Sequence, residues 1–310
     1  MADAGLLPAG IELLERGWLS SNNILCRGRD NAAVIDTGYS SHAAQTVALI
    51  GLRLGARPLD LIVNTHLHSD HCGGNAALQR AYPAARTRIP PGESESVARW
   101  DTQALSHEPT GQQCERFSFQ GLLEPGSLIR LGDCEFEVHP APGHDPHAVL
   151  LFSPRHRLLV SGDALWQRGF GIVFPELEGR PAFDAVEQTL LAIERLQARV
   201  VLPGHGPAFD TVAAAIADAR RRLDGYRSDP RRHARHAVKV LLKFKLMELR
   251  RWRVDECLAW AVGTTSVSTI HQRFFDSAAA RPWLQELIGE LQVGGALLVS
   301  DGVLLEPDLA

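Results

Sequence analysis

Residues 59–75 read Leu-Asp-Leu-Ile-Val-Asn-Thr-His-Leu-His-Ser-Asp-His-Cys-Gly-Gly-Asn, an apolar run that breaks directly into three histidines and a carboxylate. The run Leu59–Asn64 has the length and side-chain type of a buried strand. A polar cluster at the end of such a strand is where α/β folds place their sites. With 13 histidines in 310 residues, chance is a poor explanation for His66, His68 and His71 standing together with Asp70. Imidazole nitrogen and carboxylate oxygen suit zinc, iron or manganese, and a loop can aim several of them inward without helical register. Gly73-Gly74 reads as a tight backbone turn at which a helix begins.

Three more strand ends carry similar residues. Pro142-Gly143-His144-Asp145 follows Glu135–His139, Ser161-Gly162-Asp163 follows Leu158–Val160, and Pro203-Gly204-His205-Gly206 follows Val200–Leu202. Any one alone reads as a turn histidine or a capping aspartate. Together with the first cluster they read as one site assembled from four stretches. Further strands are expected at Asn23–Cys26, Ala32–Ile35 and Val149–Phe152, and helices at Ser41–Gly55 and Phe183–Ala198. That alternation predicts a mixed α/β layer domain.

At 45% hydrophobic and 22% charged, the chain has material for a packed core and, at 310 residues, for two domains, expected at 1–215 and 216–310. Five widely spread cysteines without a Cys-x-x-Cys pair indicate neither a cysteine zinc finger nor a disulfide framework, and they read as small buried apolar residues. No stretch approaches the roughly 18 to 20 apolar residues that cross a bilayer, so no membrane partner is expected. The N-terminus lacks a basic segment followed by a long apolar run, which predicts a cytoplasmic protein.

The net charge of −4 hides an asymmetry, because Arg220 to Arg253 holds 13 Lys and Arg against 3 Asp and Glu. Asp229-Pro230 breaks this stretch. Beyond it, helices are expected at Val238–Trp252, Val254–Val262, Ser266–Ser277 and Pro282–Leu291, and a hairpin at Ala296–Ser300 and Val303–Leu305 around Asp301-Gly302. Helices closed by such a hairpin suggest a small, mostly helical, winged-helix-like module.

The pattern His66-x-His68-x-Asp70-His71, His144, Asp163 and His205, in that order, resembles the metallo-β-lactamase superfamily across roughly residues 10 to 210. The resemblance implies a four-layer αββα sandwich and two divalent metal ions, zinc in preference to iron or manganese, at one sheet edge. By it, His66, His68 and His144 hold the first metal; Asp70, His71 and His205 hold the second; Asp163 bridges them. A hydroxide shared by the metals is then the nucleophile. Asp70 takes a second, catalytic duty as proton acceptor for the water or leaving group.

Asp163 and His71 argue against antibiotic hydrolysis, since many true β-lactamases of the family carry cysteine or arginine at the matching positions. Trp166 stands where lactonases of this fold carry a catalytic tyrosine, which disfavours a lactone. The run His66 to Asn75 is most similar to glyoxalase II, which implies a small thioester or ester as the acyl substrate. The C-terminal module is unlike the glyoxalase II glutathione domain. It is similar instead to β-lactamase-like proteins that include an endoribonuclease, which makes RNA an alternative substrate or partner. Two further alternatives are a mononuclear iron persulfide dioxygenase using His66, His68, His144 or Asp163, and a nucleic-acid-binding regulator with an accessory hydrolase domain. The basic stretch reads first as solvated helix faces and second as a phosphate-backbone contact. The hairpin reads first as a packing or homodimer element.

Residues Arg86 to Gly126, with Trp100, His107, Phe117 and Phe119, form a long insertion of the kind that makes lids. Trp166, Phe170 and Phe174 are expected at the same mouth as an apolar acyl pocket. His147 reads either as support behind a metal-binding histidine or as a polar residue opening the next strand.

Overall fold

The computed structural model describes residues 7–307; the N-terminal stretch read for a leader lies mostly outside them. The first sheet runs in the order β1 (Ile11–Leu14), β2 (Asn23–Arg27), β3 (Ala32–Ile35), β4 (Leu61–Val63), β5 (Arg86–Ile89) and β6 (Gly121–Leu122). Its first three strands are antiparallel and its last four parallel. Parallel neighbours require crossover connections. Helix α1 (Ala43–Leu54) makes the crossover from β3 to β4, and α2 (Ser69–Cys72) with α3 (Asn75–Ala81) makes the next. The short α4 (Ser94–Arg99) follows β5.

The second sheet contains β7 (Leu128–Leu131), β8 (Cys134–Pro140), β9 (Val149–Ser153), β10 (Leu158–Gly162) and β11 (Val200–Pro203), in the order β11-β10-β9-β8-β7. Only β10 and β11 pair in parallel, and α5 (Phe174–Leu177) and α6 (Phe183–Leu196) lie in the connection between them. The period-2 alternation of strands decides what each face meets. Val149 and Leu151 of β9 join Ile35, Val63 and Cys26 in a core between the sheets. Leu150 and Phe152 point the other way, onto Val186, Leu190 and Ile193 of α6. On the far side, Leu25, Val34 and Ile62 pack under Ile50 and Leu54 of α1. The result is the four-layer αββα sandwich. Strands buried on both faces account for the near-continuous apolar runs in the sequence.

Helix α7 (Val212–Ser228) packs Ala215, Ile216, Ala219 and Leu223 into the core beneath α6. The division expected between residues 215 and 216 therefore falls inside one helix, and the apolar core changes only beyond Asp229. There the Asp229 side chain accepts a hydrogen bond from the Arg232 N–H at 3.1 Å and Pro230 opens α8 (Pro230–Leu249). A capping carboxylate with proline at the first helical position starts a helix on both counts. Strand β12 (Arg251–Arg253), α9 (Val254–Gly263), α10 (Thr265–Phe274), α11 (Ala280–Val293), β13 (Leu298–Ser300) and β14 (Val303–Leu305) complete the chain.

Two expectations need correction here. Helix α8 starts eight residues before the expected Val238 and ends at Leu249, where Arg250 turns to a φ of 68°. Arg251 and Trp252, read as the end of that helix, belong instead to β12, which pairs with β14, so the closing hairpin belongs to a three-stranded sheet. The hairpin turn itself is as expected: Asp301 and Gly302 both have positive φ, 50° and 73°. A two-residue type I′ hairpin turn requires this of both residues. Leu241, Leu246, Trp252 and Leu304 pack with Ile172 and Leu177, which seats the module against the connection holding α5. All five cysteines are free and four are buried. Among the described residues, no helix is long and apolar enough to cross a membrane.

Candidate active site

The site forms where the chain leaves β4, β8, β10 and β11 at one edge of the sandwich. Its organising residue is one the sequence reading passed over. Asp36, at the end of β3, is 2% exposed and held at a φ of 56°. Its Oδ1 accepts from the Thr65 N–H, and its Oδ2 accepts from the Thr65 hydroxyl and from His71 Nδ1–H, each at 2.8 Å. This fixes the His71 ring with Nε2 turned away from Asp36, toward Asp163 Oδ1 at 3.3 Å. Aspartate tolerates the left-handed backbone better than most residues. The signal was available: Asp36-Thr37-Gly38 stands at a strand end, as the histidine motifs do.

The glycines of the motif act differently from expectation. Gly73 and Gly74 have ordinary φ values of −62° and −86°, so no turn demands them. A Cβ on Gly73 would lie 2.4 Å from the Ser40 nitrogen, and one on Gly74 2.4 Å from the Thr37 oxygen. They are needed for close approach of two backbones. Asn64 and Asn75, at either end of the motif, close the same clamp. Asn75 donates to Asn64 Oδ1 at 2.7 Å, and Asn64 donates to the His71 carbonyl at 3.0 Å.

The distant stretches meet this loop. His144 Nδ1–H donates to the Ile172 carbonyl at 2.6 Å, which leaves Nε2 facing inward, 2.8 Å from His68 Nδ1 and 3.6 Å from Asp163 Oδ2. His205 Nε2 lies 3.0 Å from Asp70 Oδ2. Asn22 holds the loop of His205 by donating to the Pro203 and Gly206 carbonyls at 3.0 and 2.7 Å. Ligand-type atoms of His66, His68 and His144 lie within 4.8 Å of one another, as do those of His66, His71 and Asp163 and those of Asp70, His71 and His205. Thus all seven residues singled out in the sequence share one place. The Nε2 atoms of His66 and His71 are buried without a hydrogen-bond partner. Such orphans are costly and mark a missing partner.

The electrostatics of His66, His68, His144 and the two carboxylates suit cation binding, while His71 holds a proton that a cation would displace. Burial, followed by the neighbouring imidazoles, pushes His66 well below its ordinary pKa. Burial first, then a mixture of neighbouring imidazoles and carboxylates, brings His68 and His144 each to about 4. These rings are neutral at pH 7 and keep lone pairs free. Burial would also depress His71, but Asp163, Asp36 and Asp70 together raise it well above its usual value. Burial would raise Asp163 and Asp70, yet His71 and His205 outweigh it and hold both carboxylates low and ionised.

A cavity of about 100 Å³ opens on this cluster. Trp166 and Phe174 line it as expected, and Trp166 Nε1–H donates to Asp163 Oδ1 at 3.1 Å. Phe170 does not line it; at 2% exposure it packs in the core behind the site, edge-on to Tyr226. The His147 ring lies over Gly92, and its backbone N–H donates to Asp145 Oδ1 at 2.7 Å. Asp145 itself, 4% exposed and 3.8 Å from His68 Nε2, backs that histidine. The long insertion supplies Ser106, Thr110 and Gln112 to the cavity, whereas Trp100 and Phe117 pack beneath it with Leu67 and Cys72. Sequence reasoning missed Trp18, which stacks on His205 at 5.4 Å, and Val240, Leu241 and Phe244, which α8 brings from the C-terminal module.

Residues 16–205 match the family model described as the metallo-beta-lactamase superfamily. The chain belongs to this superfamily. Acyl-coenzyme A thioesterase MBLAC2 from Bos taurus is 29% identical over 217 residues, spanning 63% of this chain and 77% of that protein. Hydroxyacylglutathione hydrolase from Anaeromyxobacter dehalogenans is 33% identical over 195 residues, 63% of this chain and 64% of its own. A metallo-beta-lactamase family protein from Thermus thermophilus shares the fold at a TM-score of 0.56 and 19% identity, covering 97% of this chain and 100% of that one. Superfamily membership with thioester-cleaving relatives makes the protein a hydrolase.

Proposed function

We propose that this protein is a dinuclear metal-dependent thioesterase. The observation that carries the reading is the convergence of seven nitrogen and oxygen donors on one place, with His66 Nε2 buried and unpartnered. In this reading His66, His68 and His144 hold one divalent cation, Asp70, His71 and His205 hold the other, and Asp163 serves both. The donor set of imidazoles and carboxylates suits zinc, with iron or manganese compatible. Bound there, the cations supply Lewis acidity toward the thioester carbonyl and lower the pKa of water to near neutrality.

The chain's own residues do the rest. Asp70, kept ionised, is the proton acceptor for the water or leaving group and relays the proton rather than keeping it, its Oδ2 lying 3.0 Å from His205 Nε2. Trp166 fixes the Asp163 carboxylate through its indole N–H. Trp18, Trp166, Phe174 and Phe244 exclude water and offer an apolar wall to the acyl chain. The thioester assignment is supported by relatives named as an acyl-coenzyme A thioesterase and a hydroxyacylglutathione hydrolase, which share a thioester and differ in the thiol. The helices and three-stranded sheet after residue 229 support the winged-helix-like reading of the second unit, and the cytoplasmic setting remains part of the proposal.

Metal analysis of the purified protein, with turnover of a panel of thioesters, lactones, persulfide and structured RNA, tests this. Two equivalents of metal with thioester turnover are expected. One iron with oxygen uptake, or RNA cleavage without thioester turnover, overturns the reading.

Asp36 is a positioning residue in this scheme. Asp36→Asn removes the charge and one of the two oxygens that accept from Thr65 and His71 Nδ1–H, and loss of such an orienting partner weakens metal affinity by roughly 10- to 100-fold. A competition titration with a chelator reads that change directly. Unaltered affinity would show that the His71 ring is held by packing alone.

A further inference from the structure

The basic stretch leaves most of its charge inside the molecule. Arg220 pairs with Glu187 and Glu194, Arg227 with Asp184, Arg235 and Lys239 with Glu290, and Lys243 with Glu306. Among the described residues, Arg222, Arg231 and Arg232 make no ion pair, and all three line a cavity of about 690 Å³ between α7 and α8. That size is typical of small-molecule sites. Asp229 and Glu290 also line it, but Asp229 caps α8 and Glu290 is taken up by Arg235 and Lys239. His236 on the same wall is neutral at pH 7, pushed to about 4 by burial, then Arg222, Lys239 and Arg232. The cavity is therefore a concave cationic pocket without enough anions of its own. Tyr226, stacked on His233 at 4.4 Å, adds an aromatic wall.

This pocket and the metal-type cluster are joined along one helix. Arg232, His236, Val240 and Phe244 follow one another at spacings of four, which places them on a single ridge of α8. The first two line the cationic pocket; the last two line the active-site cavity. Twelve residues of helix span about 18 Å. The loop from Trp166 to Gly169 makes the second bridge, with Trp166 on the active-site cavity and Gly169 against Arg222, whose guanidinium lies 2.5 Å from an added Cβ.

We infer that the α7–α8 pocket binds the phosphate groups of the thiol carrier while its thioester reaches the His/Asp cluster, so that the substrate is an acyl thioester of a phosphorylated, nucleotide-bearing thiol. The inference rests on the thioesterase reading and specifies its carrier. Coenzyme A has this chemistry: phosphates and a purine at one end, a long uncharged arm, and sulfur at the other. Glutathione does not, because it carries no phosphate and its carboxylates, about six to eight bonds from the sulfur, fall short of the roughly 18 Å between the two cavities. A pocket with arginines around a concave wall also suits one nucleotide better than the continuous backbone of RNA, which calls for an exposed stripe.

The test uses the metal-loaded full chain and one acyl group on three thiols: coenzyme A, pantetheine and glutathione. Each arginine contact to phosphate is worth roughly tenfold or more. The coenzyme A ester is expected to exceed the pantetheine ester by about 100-fold in kcat/KM, through KM. The Arg222→Ala/Arg232→Ala double variant should bring that ratio close to one, with Arg→Lys at both positions intermediate. Equal kcat/KM for the two esters in the wild type, or an unchanged ratio in the double variant, overturns the inference. Should the wild type cleave no thioester, the thioesterase reading fails by itself, and calorimetry with free coenzyme A decides the pocket. Binding lost in the double variant upholds it; no binding, or binding of structured RNA alone, overturns it.

Discussion

Alanine at His68 or at Asp163 is expected to lower kcat/KM by about 10³-fold or more and to reduce bound metal, with the far-UV circular dichroism unchanged. The magnitude follows from losing several kcal/mol of carbonyl and water activation at about 1.4 kcal/mol per factor of ten. The fold survives because neither residue belongs to an apolar cluster. His68 closes one side of the cavity and Asp163 faces His71 and His144 from the other. Elemental analysis beside steady-state kinetics checks both halves. Undiminished turnover by a variant that holds no metal would contradict the mechanism outright.

The second large effect is on stability. Gly73→Ala and Gly74→Ala place a methyl 2.4 Å from the backbone of Ser40 and of Thr37, and neither backbone can step aside without moving the loop after β3. Overpacking against backbone that cannot move costs about 3 kcal/mol, which is roughly 5 °C of melting temperature at this chain length. Asp36 lies in the strained turn next door, so metal uptake should weaken as well. Gly289→Ala is the matched control: it sits inside α11 with nothing within 4 Å of an added Cβ. There alanine removes the helix penalty of glycine and should stabilise by about 0.5–1 kcal/mol. Differential scanning calorimetry of the three variants reads both signs. A melting point for the Gly73 variant within a degree of wild type would refute the close-approach account.

The ligand-type residues were legible because strand ends are local: each of the four stretches carries its apolar run and its His or Asp within about ten residues. The Asp301-Gly302 hairpin was legible for the same reason, since the turn's φ values select its residues. Asp36 was harder, because it works on a loop some thirty residues downstream and only a shared strand-end position hints at it. Strand β12 could not be read at all from its neighbours, because its pairing partner β14 lies about fifty residues further on and overrides helical spacing.

The basic stretch shows the same division most sharply. Composition alone registers 13 cations, but acids from α6, α11 and the C-terminal strand region decide which of them are neutralised, and of the five arginines left without an ion pair among the described residues three, Arg222, Arg231 and Arg232, share one pocket. Sequence by itself determined the donors, their order and the layered α/β class, since strand periodicity, turn chemistry and ligand type act over a few residues. Tertiary structure decided which side chains face one another, which charges remain unpaired, and that α8 reaches the active-site cavity. Those outcomes depend on contacts between residues far apart in the chain, and no local pattern encodes the distance between them.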